Sequence, residues 1–320
     1  MEIHETRYFL AASAKADEPS TDTGCLSGTN SISPSQHKIH AIMKLQAEVR
    51  VFPELAYDAA PDQVRAIYDE ICRWAAVPIP ALIFRHLATH KGVLEEVWDG
   101  IGPLFRNGQI PEAAWRVASA ATPVAFIPTV EANARTVIGL TDSALAQAYN
   151  ALDAYNRANP VNLLAMLSLL ERLKSDDAVR PLSSRTWTPP APVPTPMPPM
   201  APLDTMPPDI RLLINDLGFG DRSTIDPVVP SLYRHFTNWP GYLALLHVLL
   251  VPRFRDGSLA KATEDVSMAM KREAGIVSLA LPPLPHLSEA RDVHITMARF
   301  TTTVIPQMIV IGNAMRRSLT

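Results

Sequence analysis

Apolar residues recur along most of the chain with the spacing of an amphipathic helix. In "PDQVRAIYDEI", Pro61 and Asp62 suit a helix start, and one face carries the apolar positions Val64, Ile67, Tyr68 and Ile71. A similar segment, "PDIRLLINDLGF", begins at Pro208. No alternation of useful length indicates strands, and glycine-rich turns do not recur. The pattern therefore predicts an all-α fold.

Two longer helical patterns carry an internal proline. The first follows Thr141 or Asp142, either of which suits a helix N-cap, and we expect it to be interrupted at Asn159-Pro160 and then to resume. The second lies near the end of the chain and carries Ile305-Pro306 in the corresponding place.

The helical segments are arranged as two similar copies. "IFRHLATHKGVLEEVWDGIGPLFRNG", residues 83–108, and "LYRHFTNWPGYLALLHVLLVPRFRDG", residues 232–257, match with a constant offset of 149. A constant offset indicates a duplicated unit. We predict two tandem helical repeats, each of about six short helices, that form an intramolecular pseudo-dimer about a pseudo-two-fold axis. The groove between them is the natural pocket.

Low-complexity segments mark the limits of the copies. Residues 1–50 are rich in Ser, Thr, Asp and Gly and predict a mobile leader. Residues 186–207 are proline-dense and predict an extended, stiff linker. The repeats then occupy residues 51–185 and 208–320.

Composition excludes several classes of protein. With 320 residues and 47% hydrophobic residues, the chain can bury one large core or two ordinary ones. A net charge of −3 from intermixed charges predicts no nucleic-acid partner and no membrane association. The N-terminus lacks the basic-then-apolar order of an export signal, so we expect a cytoplasmic protein. Two cysteines support neither a disulfide framework nor a thiolate zinc site. We therefore predict no metal, and no motif indicates a cofactor.

Several segments resemble a known enzyme family. "AIYDEI", "VPIPALIFRHLATHKGVLEEVW" and "ANP" in the first copy, with "LYRHFTNWPGYL" and "VP" in the second, resemble the group I 2-haloacid dehalogenases, the DehI type. The resemblance covers about 61–175 and 208–320. It implies an all-α pseudo-dimer with its active site between the halves, in which water directly displaces halide from a 2-haloacid.

The resemblance carries only part of the family's site to this chain. The family's Asn-Pro, whose Asn helps hold the attacking water, matches Asn159 and Pro160, so Asn159 is the candidate catalytic residue. The water-activating Asp lies six residues before the Asn of "NWP", where this chain has Leu232. The remaining family pocket positions, a Ser, a Trp, a Phe and a Tyr, match Ser231, Ile79, Leu82 and Met297.

Loss of the Asp changes the expected chemistry. A positioned carboxylate typically contributes about 10²–10⁴-fold by taking a proton from water, and leucine takes none. An amine within the substrate needs positioning more than such a base. The resemblance extends to a branch of antibiotic biosynthesis that closes an aziridine ring by expelling sulfate. It thus implies an enzyme of secondary metabolism that cleaves a carbon–leaving-group bond by substitution or elimination, with ring closure favoured over hydrolysis.

Each candidate also has a structural interpretation. Asn159 could pair with carbonyls freed by Pro160, although the resemblance favours a functional role. Ser231 follows Pro230 and is better interpreted as a helix N-cap. Arg85 and Arg234 occur in both copies, so packing ranks first and binding of a carboxylate or sulfate second.

Two further groups complete the candidates. An unperturbed histidine titrates near neutrality, so His235 is a candidate replacement base at the substrate site. Adjacent Glu95 and Glu96 predict a solvated helix face, with Trp98 turned inward.

Two interpretations from different classes remain open. The chain is either such an enzyme, acting on a small molecule with anionic groups, or a non-catalytic or auxiliary protein of the same fold that binds a partner or a carrier-bound substrate. A hydrolytic 2-haloacid dehalogenase is the third alternative. A homodimer and a hetero-oligomer with a pathway enzyme are both compatible with the sequence.

Overall fold

The computed structural model describes residues 53–120, 127–175, 178–181, 184–194, 197–202, 205–218 and 229–320. The predicted leader, residues 1–50, lies outside the described residues. All described residues belong to one compact unit, Val49–Thr320. That unit contains both predicted repeats and the linker between them.

The described residues form helices and no strands, which confirms the predicted all-α class. The first half contains a short 3-10 turn, Tyr57–Ala59, and then the helices α1 (Asp62–Ala75), α2 (Leu82–Leu87), α3 (Val93–Arg106), α4 (Gln109–Ala120), α5 (Ala132–Val137) and α6 (Asp142–Arg172). The second half contains α7 (Pro208–Gly218), α8 (Ser231–Phe236), α9 (Pro240–Arg255), α10 (Ser258–Ser278), α11 (Pro285–Glu289), α12 (Arg291–Arg299), a π-helical turn (Phe300–Val304) and α13 (Ile305–Ser318).

Helix bounds in the two halves follow the spacing found in the sequence. The first residues of α2 and α8 are 149 apart, and so are their last residues. The first residues of α4 and α10, and those of α6 and α12, are also 149 apart. Gly108 and Gly257, also 149 apart, both adopt a positive φ, 78° and 77°. These bounds agree with the sequence offset, while the duplication and its pseudo-two-fold axis stay predictions.

Helix α6 occupies the centre of the fold. It packs against α4 of its own half and against α10 and α13 of the other. Thr141 is its N-cap, and the Thr141 hydroxyl accepts a hydrogen bond from the Ala144 N–H at 3.5 Å. The C-terminal part of α6 buries apolar side chains, among them Val161, Leu163, Leu164 and Met166. A helix that is apolar on several faces is stable only inside such a core.

The predicted interruption of α6 at Asn159-Pro160 is wrong. Pro160 lies inside a continuous helix of 31 residues. A proline within a helix costs about 3 kcal/mol, and burial of the residues after it offsets that cost. In the second half the helix type changes from π to α just before Pro306, because the π-helical turn ends at Val304 and α13 begins at Ile305.

The helical stretch Arg291–Ser318 is, among the described residues, long and apolar enough to cross a membrane by length and composition. About two thirds of its most apolar window, 65%, is buried inside the protein. Such burial is typical of a core helix.

Glu96 differs from the solvated position expected for it, whereas Trp98 is buried as predicted. The Glu96 side chain is only 13% exposed, and its carboxylate accepts hydrogen bonds from the backbone N–H groups of His286 and Leu287 at 2.9 and 2.7 Å. The carboxylate therefore binds the free amides at the start of α11 and joins the two halves.

Candidate functional site

A cavity of about 110 Å³ lies where segments of both halves meet. Its wall is formed by the α1–α2 loop and α2, one face of α6, part of the proline-rich segment, the start of α8, and the region around the π-helical turn. Most of the lining is apolar. The polar side chains that line it are Arg85, Tyr155, Asn159, Asn162 and Ser231.

Asn159 lies on the cavity side of α6, next to Pro160. Its Nδ2 atom is buried and has no hydrogen-bond partner. The structural interpretation of Asn159, in which its side chain pairs with carbonyls freed by Pro160, is therefore not supported for the Nδ2 group. A buried amide donor without a partner is costly unless a ligand or water accepts from it, so Asn159 is suited to bind a ligand in the cavity.

The two equivalent arginines have different surroundings. Arg85 lines the cavity, its side chain is 19% exposed, and Nη2 lies 2.9 Å from Glu54 Oε2. The Arg85 Nε atom is buried without a hydrogen-bond partner. Arg234 is not part of the cavity wall, and its Nε donates to the Ala201 carbonyl at 3.1 Å. Of these two arginines, only Arg85 therefore lines the cavity.

Ser231 does not have the capping role predicted for it. Pro230 occupies the N-cap position of α8, and no side chain caps the helix. Ser231 is already helical and lines the cavity, as does Tyr155. Burial raises the pKa of Tyr155, against the opposing effects of the Ser231 hydroxyl and of Arg85 and Arg234. Tyr155 therefore keeps its proton and can act as a hydrogen-bond donor.

The apolar replacements in the family pocket are distributed unevenly. Ile79, Leu82 and Leu232 line the cavity, with Leu232 fully buried and Ile79 44% exposed. Met297 is fully buried and is not part of the cavity wall. The position that the sequence resemblance matches to the family's acid, Leu232, is thus a hydrocarbon side chain in the cavity wall. None of the described lining residues is an acid or a histidine.

His235 is buried behind the cavity wall. Its Nδ1 lies 2.8 Å from the Pro198 carbonyl, and its ring contacts that of Tyr155 edge-on, with 5.6 Å between the centroids. Because a carbonyl only accepts, Nδ1 carries the proton in the neutral ring. Burial lowers the pKa of His235, which opposes its protonation. His235 does not line the cavity, so this geometry does not suit the predicted role of a base that contacts substrate.

Sequence reasoning missed much of the lining, including two polar residues, Tyr155 and Asn162, and two methionines, Met197 and Met200. Tyr155 precedes Asn159 by four residues on one helix, and this spacing places both on the same face. No pattern in the sequence indicated the two methionines, because they belong to the segment interpreted as a linker. Across the described residues, no cluster of three or more His, Cys, Asp or Glu side chains forms a metal-ligand set.

The fold and the cavity together define an all-α protein with the haloacid dehalogenase fold. A D-2-haloacid dehalogenase mutant in complex with D-2-CPA aligns with a TM-score of 0.63 and 14% identity, over 84% of this chain and 96% of that chain. A second D-2-haloacid dehalogenase mutant, at 13% identity, and the complex of D-2-haloacid dehalogenase with L-LA, at 14%, align with the same TM-score and coverage. No protein-family model and no curated protein matches the chain. Similarity at this level of identity shows the fold.

Proposed function

We propose that the protein catalyses substitution at an sp3 carbon, in which an amine of the substrate displaces halide or sulfate from the neighbouring carbon and closes an aziridine ring. One observation carries the proposal. The cavity retains Arg85, Tyr155, Ser231 and Asn159 as hydrogen-bond donors for a leaving anion, while its described lining contains no acid or imidazole to activate water.

The reaction is balanced without a protein base. The amine lone pair forms the new N–C bond, the carbon–leaving-group bond breaks, and its electron pair departs with the halide or sulfate. The ammonium proton then passes to solvent. Arg85 and Asn159 would stabilise the charge that develops on the leaving group, because fixed donors in a partly buried site act strongly on such charge.

The magnitudes favour an internal nucleophile over water. A general base contributes about 10²–10⁴-fold, which corresponds to about 3–5 kcal/mol, and this contribution is lost with the acid. An amine in the same molecule as the carbon it attacks can gain about 7–11 kcal/mol over a nucleophile that must come from solution. The tether itself supplies much of this advantage, so the cavity needs only to hold the substrate in the reactive conformation and to stabilise the leaving anion.

A non-catalytic binding protein is the second candidate. The observation in its favour is that Ile79, Leu82 and Leu232 make much of the wall apolar. Such a cavity would bind an anionic small molecule, or one presented by a carrier or a partner chain, without transforming it. Hydrolytic dehalogenation is the least supported alternative, because Leu232 occupies the position of the family's base.

Three substrates separate these functions: a vicinal amino sulfate, the corresponding alkyl sulfate without the amine, and 2-chloropropionate. Release of sulfate and chloride is measured by ion chromatography and corrected for the reaction without protein. Ring closure requires release from the amino sulfate alone. Release from the alkyl sulfate or from 2-chloropropionate would contradict the internal nucleophile. Binding of all three without release would favour the non-catalytic protein.

The pH profile gives a second, independent measurement. Because the substrate amine must be neutral to attack, kcat/KM for the amino sulfate is expected to rise with pH and to level off once the pH exceeds the pKa of that amine. Substrates whose amines have different pKa values should shift the profile accordingly. A profile that instead follows one fixed pKa for every substrate would indicate a base on the protein and would contradict the proposed mechanism.

A further inference from the structure

We propose that the proline-rich segment is a wall of the substrate cavity and that its Met197 and Met200 limit the length of the substrate's apolar part. The inference rests on the proposed function, because it assumes that a small molecule with an anionic group occupies the cavity. Met197 and Met200 both line the cavity. We refer to the described residues 184–194 and 197–202 as the strap.

One end of the strap is attached to the first half. The Trp187 ring contacts those of Trp74 and Trp115, with 6.1 and 6.2 Å between the centroids. Further along, the Ala191 carbonyl accepts a hydrogen bond from Arg157 Nη1 at 2.6 Å. Aromatic contacts and backbone hydrogen bonds together hold this end in one place.

The other end is attached to the second half. Three backbone carbonyls of the strap accept hydrogen bonds from side chains at the end of α8 and just after it. His235 Nδ1 lies 2.8 Å from the Pro198 carbonyl, and Asn238 Nδ2 donates to the Pro199 carbonyl at 2.8 Å. Arg234 Nε donates to the Ala201 carbonyl at 3.1 Å. Met197 and Met200 lie beside and between these acceptors. The backbone that carries both methionines is therefore attached to each half of the protein.

The composition of the strap adds to this restraint. Proline fixes φ, so a proline-dense segment is stiffer than an ordinary linker. The sequence predicted an extended, stiff linker that joins the two repeats, and in the structure this segment also contributes Met197 and Met200 to the cavity wall. Methionine is unbranched and apolar, and truncation to alanine removes three heavy atoms from the side chain. Each truncation should therefore make room for about two to three more carbons of a ligand.

The first experiment measures chain-length preference. Linear alkyl sulfates from ethyl to octyl combine an anionic group with an apolar tail of graded length, and their binding to the full chain is measured by calorimetry. Met197→Ala and Met200→Ala are each expected to move the tightest-binding chain length upward by about two to three carbons and to improve binding of longer tails about tenfold. Met268→Ala is the control, because Met268 is 45% exposed and is not part of the cavity wall.

The second experiment moves the strap without changing a residue that touches the ligand. A Cβ atom on Gly108 would overlap the ring of Trp187, whereas nothing lies within 4 Å of a Cβ on the equivalent Gly257. Both glycines have nearly the same positive φ, so Gly108→Ala and Gly257→Ala carry similar backbone strain. Only Gly108→Ala displaces Trp187. It is expected to broaden the chain-length preference, and Gly257→Ala is expected to leave it unchanged.

The outcomes separate this inference from the proposed function. If alkyl sulfates bind but both methionine variants keep the wild-type chain-length preference, the inference is wrong and the proposed function stands. If no alkyl sulfate binds the wild-type protein, the proposed function fails and the inference fails with it. A shift in Met197→Ala or Met200→Ala, absent from Met268→Ala, supports the inference and an anionic ligand in the cavity, while ring closure is tested separately by release of sulfate from the amino sulfate.

Discussion

The packing of α6 against α13 can be tested at Gly312, because both helices contribute to the cavity wall. A Cβ atom on Gly312 would overlap Oδ1 of Asn156 and lie 3.4 Å from its Cγ. In the native protein, Asn156 Nδ2 donates to the Gly312 carbonyl at 3.2 Å. In Gly312→Ala, the Asn156 side chain must move away, and this hydrogen bond is lost.

The expected cost can be estimated from these contacts. A buried amide that loses its hydrogen-bond partner costs about 1–3 kcal/mol, and the steric overlap of the new methyl group costs about 1 kcal/mol more. The better helix propensity of alanine returns about 1 kcal/mol. We therefore expect Gly312→Ala to lower the free energy of unfolding by about 1–3 kcal/mol, measured by urea denaturation with far-UV circular dichroism.

Two further variants make this prediction specific. Gly275 lies inside α10, and nothing is within 4 Å of a Cβ there, so Gly275→Ala should raise the free energy of unfolding by about 0.4–1 kcal/mol. In a background of Asn156→Ala, the cost of Gly312→Ala should largely disappear, because the overlapping side chain is gone. If Gly312→Ala stabilises the protein as Gly275→Ala does, the close approach of α6 and α13 is refuted.

Three other predictions concern the site and the pH dependence of stability. Asn159→Ala should reduce kcat/KM for the amino sulfate by about 10- to 100-fold with an unchanged urea midpoint, because the Asn159 Nδ2 group has no partner to lose; unchanged turnover would leave Asn159 with a structural role only. Arg85→Lys should weaken alkyl sulfate binding by about tenfold, whereas Arg234→Lys should not, and equal effects would contradict the asymmetry of the two arginines. The hydrogen bond that Arg106 Nη2 donates to Glu70 at 2.6 Å is the main cause that lowers the pKa of Glu70. The ionised Glu70 therefore adds stability above the ordinary pKa of a glutamate, and this stability is lost as the pH falls through the lowered pKa of Glu70. The difference between the urea midpoints of wild type and Glu70→Gln should therefore be largest near neutral pH and vanish in acid, and a difference that persists in acid would show that Arg106 does not affect the pKa.

Local sequence patterns were sufficient where neighbours along the chain decide the structure. The apolar stripe of α1, which includes Val64 and Ile71, and the Thr141 N-cap of α6 are both confirmed. Each depends on residues within two turns of the same helix, which periodicity and capping rules describe directly. Trp98 was predicted inward on the same grounds.

The same local rules failed where packing outweighs them. Pro160 was expected to interrupt a helix, but burial of the following turns keeps α6 continuous. Ser231 was expected to cap α8, but Pro230 takes that position and Ser231 lines the cavity together with Tyr155, which lies 76 residues earlier. Glu96 was expected to be solvated, but it binds the start of a helix about 190 residues away.

The sequence by itself determined the helical class and the offset of 149 residues, because both are contained in residue types and their spacing, and it predicted an apolar residue, Leu232, in place of an acid. Tertiary structure alone decided that Arg85 lines the cavity while Arg234 does not, and that Met197 and Met200 form part of the cavity wall. Those features depend on which distant segments meet in the folded chain. Arg85 and Arg234 are identical residues in helices that share the same offset, but they have different surroundings: Arg234 binds the Ala201 carbonyl of the strap, and Arg85 lines the cavity.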